Sequence, residues 1–413
     1  MRITDVTAFE VAIPFHAPIL SSFGVSYPAR IRTFIRVHTD VGLVGVGEAG
    51  PSATHPYALG SMPRRFETTV KQAVVGASPA DHRWLARKLY HGPEATAIEL
   101  ACWDLLAQAA GVPLYRLLAG HGEVASVPVA GYAFFRLANQ AGAGAVDLDG
   151  MVEHCRTLVE REGFSVVKIK LGVHPPDVEI DVVERMRAAL GPRVGLRVDP
   201  NGSWSVPTAL RALRRLEPLD LEYVEEPTRA HGTGDATVAP DGLRRLRSAT
   251  TVPIAADHCY RPDLLALVLR ADAADVVLAD LFGAGGLTEA RHYARMAASF
   301  GVGVALHSGT ELGVGQMTKA HLQASLPDEV RFAGDAIYPE YVDDVLAGGK
   351  LDLSGGALRL PTAPGLGVAL DDDRLARWAL TPERKRDLDA YWADLKAQIG
   401  VDVPSADLLM RHY

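Results

Sequence analysis

The chain has little cysteine: three residues in 413, Cys102, Cys155 and Cys259, far apart and odd in number. That count excludes a disulfide framework, and no two of them have the CxxC spacing of a metal knuckle, so a reducing, cytoplasmic compartment is expected. Uncharged apolar runs of membrane-spanning length are absent. The opening MRITDVTAFE also lacks the apolar core of a secretory signal. Long basic runs are missing as well: the net charge of −8 is spread over positions of mixed sign. The expected partner is therefore a small molecule, with no nucleic acid and no membrane. The dinucleotide fingerprint G-x-G-x-x-G does not occur in the two glycine clusters, Gly42–Gly47 and Gly283–Gly286, and the first reads as a hairpin turn.

What is present is apolar content of 48%, enough for a large core and for one large domain with an accessory unit. Residues 1–124 begin with strand-like stretches, Arg2 to Ile13 and Arg32 to Thr39, followed by the hairpin DVGLVGVGEAG and the helical EATAIELACWDLLAQAAG with its stop at Gly111. Strands followed by helices predict an α+β unit. From about Ala125 short β-branched runs alternate with amphipathic helices. The runs are Val127–Tyr132, Val166–Lys170, Val194–Asp199, Leu221–Glu225, Val252–Asp257, Asp275–Asp280, Val302–His307 and Val330–Asp335. Eight strands with seven intervening helices over roughly 200 residues fit a TIM-type (β/α)8 barrel better than an open doubly wound sheet, with which the pattern alone is also compatible. Beyond residue 350 come turns, short strands and an amphipathic helical tail.

In such a barrel catalytic groups lie at the C-terminal ends of the strands. Ionisable groups stand there on seven of the eight: Lys168 and Lys170, Asp199 with Asn201, Glu225 with Glu226, Asp257 with His258, Asp280, His307, and Asp335. Each alone has a bland explanation. Lys-x-Lys commonly marks the solvent face of a strand, DPNG a turn, EEP a strand end, Asp257 a helix cap, and a lone His307 a hydrogen-bonded core residue. Their order is more informative. Asp199, Glu225 and Asp257 end successive strands and can converge on one point, where oxygen-only ligands suit a hard cation such as magnesium. With a side-chain period of two, Lys168 and Lys170 both face the interior beside that point. Their closeness is expected to depress one amine's pKa and make it a base, Lys170 being nearer the strand end. Asp280 and His307 end the next strands, so the carboxylate can orient the imidazole as a second acid or base.

The ordered set VKIK, VDPNGSWS, YVEEPT, PIAADHC, ADLFGAGGL and VALHSGTELG, with GLVGVGE and PGLGV outside the barrel, resembles the enolase superfamily, in its mandelate racemase and glucarate dehydratase branches. A lysine or histidine base working through a metal-held enediolate is that superfamily's established chemistry and is not deduced from these residues. The resemblance implies a capping domain, residues 1–124, to which the segment 351–413 returns, over a modified barrel, 125–350, and a homo-oligomer. It also implies Asp199, Glu225 and Asp257 as magnesium ligands, Lys170 as one base, and His307 with Asp280 as the other. Asp335 falls where relatives place a substrate-contacting group. Asn201 on the rim and Phe23 in the capping loop HAPILSSFGVSYPAR are further substrate-binding candidates; His16, Tyr27 and Arg30 lie in the same loop. Branches similar to muconate cycloisomerase and dipeptide epimerase carry lysine in place of Asp280. Asp257 stands where the glucarate dehydratase branch commonly has asparagine, and His258 where related chains often have Glu. The expected reaction is dehydration of an acid sugar, a small carboxylate substrate. The alternatives are a racemase or epimerase of a 2-hydroxy acid and an inactive metal-binding scaffold.

Overall fold

A computed structural model describes residues 1–50, 61–119, 122–229, 240–328 and 331–399. At the N-terminus Ile3–Pro14, Ala29–Thr39 and Val44–Ala49 pair antiparallel in chain order. The helix Pro93–Ala110, rich in alanine and leucine, lies directly on this sheet and stops at Gly111, whose φ is 70°. Gly45 and Gly47 allow that approach: a Cβ at either would lie 2.4 Å from Ala101 O or 2.1 Å from Ala97 O. Asp104 on this helix accepts from Val46 N at 3.0 Å and from Leu366 N at 2.8 Å, tying the C-terminal segment to the cap.

The barrel strands, first to eighth, are Ser126–Ala133, Val166–Lys170, Gly195–Asp199, Tyr223–Glu225, Ile254–Ala256, Val276–Ala279, Gly303–Leu306 and Gly334–Ala336. They run parallel, the eighth pairing with the first. Phe332 N donates to Val304 O at 3.0 Å, so the ring nearly closes between the seventh and eighth strands. The fold is thus a nearly closed eight-stranded parallel barrel with an N-terminal α+β cap, and the open doubly wound sheet is set aside. The eighth strand begins later than the expected Val330. Arg331 and Phe332 pair with the seventh strand, the ladder to the first starts at Gly334, and residue 330 lies outside the described residues. Among the described residues no helix is long and apolar enough to cross a membrane.

Alternation along the strands fills the barrel in layers. Tyr223, Ala255, Val276, Leu278 and Ala305 form an apolar floor with Phe332. Above it lie the charged side chains treated below. The C-terminal helix Pro382–Gln398 packs on the cap: Tyr27 Oη donates to Asp389 at 2.9 Å and Trp392 Nε1 donates to Val25 O at 3.2 Å. Tyr27, a capping-loop candidate for substrate contact, is thereby engaged with this helix.

His321, on the helix between the seventh and eighth strands, fixes another seam. It is fully buried; its Nδ1 accepts from Tyr115 N at 3.1 Å, and its Nε2 lies 3.2 Å from Leu366 O as the donor. Burial pulls its pKa down from 6.5 to about 4. The folded state therefore binds fewer protons than the unfolded state across that window, and stability falls as pH drops from 6.5 towards 4, by up to roughly 3 kcal/mol from this residue. Urea midpoints of the wild type should fall more steeply over that range than those of His321→Gln; equal slopes would contradict this assignment.

Candidate active site

Two lysines one residue apart sit inside the barrel because carboxylates await each of them. Lys168 is fully buried, and its Nζ donates to Glu225 Oε2 at 2.5 Å and to Asp335 Oδ2 at 2.7 Å, with Asp199 Oδ2 at 3.3 Å. Lys170 Nζ donates to Asp199 Oδ2. Both ammoniums lie near the face of Tyr132, 5.2 and 5.7 Å from its centroid. Burial alone would lower Lys168, but Asp335 and Glu225 outweigh it and hold the ammonium well above its ordinary range. Lys168 therefore stays charged, and the amine expected to act as a base is the other one, Lys170. Against burial, Lys170 and Lys168 hold Asp199 well below the usual carboxylate range. Burial and the neighbouring Asp199 push Glu225 well above it.

Asp199, Glu225 and Asp257 are all inaccessible to solvent. Among the described residues Glu225 Oε1 and both Asp257 carboxylate oxygens lack a hydrogen-bond partner, although His258 Nδ1 stands 3.4 Å from Asp257 Oδ2; this is a costly arrangement for buried acids unless further positive charge meets them. Ligand atoms of Glu225, Asp257 and His307 lie within 4.8 Å of one another, as do those of Glu226, Asp257 and His258. The structure therefore brings Glu225 and Asp257 together, while Asp199 joins them through the shared Lys168 and is engaged by Lys170. Buried, orphaned oxygens in surplus of cations fit a hard divalent ion.

Asp280 and His307 form the expected pair. Asp280 Oδ2 lies 2.9 Å from His307 Nδ1, and Asp280 Oδ1 accepts from Gly283 N. His307 Nε2 lies 3.6 Å from Asp257 Oδ2 and so faces the acids. Two further side chains border this pair, of which the sequence pointed to His258 and not to Tyr260. Tyr260 Oη is 3.4 Å from His307 Nδ1, and His258 Nδ1 is 2.5 Å from Glu226 Oε2. Burial would lower His258, but Asp257 and Glu226 outweigh it and push the imidazole up to about 10. The run ADHCY placed His258 at the strand end, but nothing in its periodicity revealed that Tyr260 turns back towards His307.

The substrate-contact candidates fare differently. Asp335 is corrected: fully buried, it is held by Lys168 and by Arg197 Nη1 at 3.2 Å, and neutralises cations inside the barrel instead of facing the mouth. Asn201, with φ 48°, donates its backbone N–H to Asp199 Oδ1 at 2.9 Å, so its observed role is to orient that acid. Phe23 lies in a cap turn with 40% of its surface exposed. Arg30 lies over the Phe15 ring, and His16 N bonds Glu340 O.

Comparison with known proteins places this geometry. The model of the enolase C-terminal domain-like family matches residues 150–374, and that of the mandelate racemase / muconate lactonizing enzyme N-terminal domain matches residues 3–119. The chain belongs to the enolase superfamily. It is 33% identical to a probable glucarate dehydratase from Streptomyces coelicolor, covering 93% of each chain. It is 28% identical to an L-Ala-D/L-Glu epimerase from Bacillus subtilis, covering 89% of this chain and 97% of the relative. A crystal structure of an enolase from Thermobispora bispora complexed with magnesium and formate superposes with a TM-score of 0.85 at 29% identity, covering 100% and 99% of the two chains.

Two outcomes follow. Lys168→Met removes the cation that Glu225 shares with Asp335 and Asp199 and should cost about 3–5 kcal/mol in urea unfolding; an unchanged midpoint would contradict the charge network. Asp257→Ala, which removes the ligand oxygens altogether, should weaken divalent-ion binding at least about 10-fold by calorimetry, and undiminished affinity would remove Asp257 from the site.

Proposed function

We propose that the protein abstracts the proton α to a carboxylate in a magnesium-dependent reaction, and that the outcome is dehydration of an acid sugar. Asp199, Glu225 and Asp257 would hold the ion, and bound magnesium supplies neutralisation for a substrate carboxylate whose α-carbon is losing its proton. The chain's own residues do the rest. Lys168, permanently charged, adds positive potential beside the same point. Lys170 exchanges a proton at Nζ from the second strand. His307 exchanges one at Nε2 from the seventh, with Asp280 fixing the proton on Nδ1. In dehydration, the imidazolium of His307 donates its proton to the departing β-hydroxyl.

The observation carrying this reading is the Asp280–His307 pair at 2.9 Å with Nε2 turned to the acids. The probable glucarate dehydratase among its relatives supports the dehydratase outcome. A second reading, racemisation or epimerisation of a 2-hydroxy acid, is favoured by the amine and the imidazole projecting from different strands, so that a proton leaving one flank can return from the other.

Incubating a panel of aldarates and aldonates in deuterium oxide, with magnesium and then with chelator, separates the readings. A 2-keto-3-deoxy acid whose formation stops with chelator is expected; a deuterated isomer without loss of water would favour the second. No solvent deuterium in any carboxylate would contradict both and leave a scaffold. His307→Asn should lower the productive rate by about 10²–10⁴.

A further inference from the structure

The cap sheet reaches the Asp280–His307 pair through one arginine. Arg32, on the second cap strand, has a fully buried side chain and forms an ion pair with Glu48 of the third strand, Nε to Oε1 at 3.1 Å. Its Nη2 donates to Gly309 O at 2.6 Å, to Thr310 O at 2.7 Å and to Thr310 Oγ1 at 2.9 Å. Its guanidinium also lies 5.2 Å from the centroid of Phe282. Gly309 and Thr310 follow His307 on the seventh strand's loop; Phe282 follows Asp280 on the sixth's. One side chain therefore spans both loops that carry the pair.

Glu48 completes the grip. Its Oε1 accepts from Leu312 N and its Oε2 from Gly315 N, both at 2.8 Å, at the start of the helix after that loop. Thr310 holds φ at 63°, and its carbonyl also accepts from Tyr341 Oη at 2.9 Å. The held loop presses on the pair: a Cβ at Gly309 would stand 2.6 Å from Asp280 Oδ2, the oxygen that meets His307. Neither Arg32 nor Glu48 is placed against the acid cluster.

We infer that Arg32 and Glu48 are positioning residues for His307: by fixing residues 309–315 against Phe282, they set the Asp280–His307 geometry from the cap. The inference rests on the proton-transfer reading above for its kinetic consequence, and on geometry alone for its structural one. A shift of about 1 Å in a proton-transfer group costs about 100-fold, and this shift would fall on one flank of the site only.

The test measures solvent deuterium exchange at the α-carbon separately for the two configurations of a substrate identified by the panel. It uses the full-length magnesium-loaded protein and the variants Arg32→Met, Arg32→Lys, Glu48→Gln and Gly309→Ala. Exchange on the His307 flank should fall about 100-fold in Arg32→Met, and that on the Lys170 flank should stay within about threefold. Arg32→Lys should recover part of the loss, and Gly309→Ala should reproduce it with the cap pair intact. Equal losses on both flanks, or no loss in a folded variant, would overturn the inference. Should the wild type neither exchange on either flank nor dehydrate any acid of the panel, the proton-transfer reading fails. Crystal structures of Glu48→Gln and Arg32→Lys then decide the positioning claim: Asp280 Oδ2 and His307 Nδ1 drawn out of hydrogen-bond range support it, and an unchanged pair refutes it.

Discussion

The structure depends on one compensation of charge. Four carboxylates, those of Asp199, Glu225, Asp257 and Asp335, are buried at the centre of the barrel, and Lys168 touches three of them within 3.3 Å. Such burial is costly unless every charge meets an opposite one. Lys168, Lys170 and Arg197 supply part of the answer, the lysines from the second strand and Arg197 from the third, which also carries Asp199. What they leave among the described residues, Glu225 Oε1 and an Asp257 carboxylate approached by His258 Nδ1 at 3.4 Å, marks where a further cation would fit.

The network has two storeys. Asp335, Arg197 and Lys168 lie between the apolar floor and the acid rim, and Asp335 together with Glu225 keeps Lys168 charged. Lys170, Asp199, Glu225 and Asp257 form the upper storey, and the Asp280–His307 pair borders it from the other flank. The two lysines thus differ in depth: Lys168 is a fixed charge among three carboxylates, and Lys170, one full pleat repeat further along the strand, pairs with Asp199. The cap adds a constraint from outside the barrel, since Arg32 and Glu48 hold the loops on which Asp280 and His307 stand.

Much of this was legible in the sequence. Period-two alternation put Lys168 and Lys170 on one face, and ordered strand ends brought Glu225 and Asp257 together and paired Asp280 with His307. GLVGVGE announced the hairpin, and its glycines prove to be spacers for a helix backbone. Depth was not legible. Asp335 shares its residue type with the rim acids, and only the register of the eighth strand, beginning at Gly334, sinks it beneath Lys168. Strand alternation shows like-charged neighbours but not the carboxylates, Glu225 and Asp335, that other strands supply to Lys168. Tyr260 and Arg32 were missed for a related reason: their partners are distant in sequence, and no local pattern records a phenol folding back or a cap strand reaching a barrel loop.

The central claim is that the acids of three neighbouring strands share one cation. Anomalous diffraction from crystals soaked in manganese, a magnesium substitute, tests it most directly. A single peak within bonding distance of Asp199, Glu225 and Asp257 together, with the Lys170 amine drawn off Asp199, is the result this account requires. A peak seated instead among Glu226, Asp257 and His258, or the three acids unmoved around an empty centre, would contradict it.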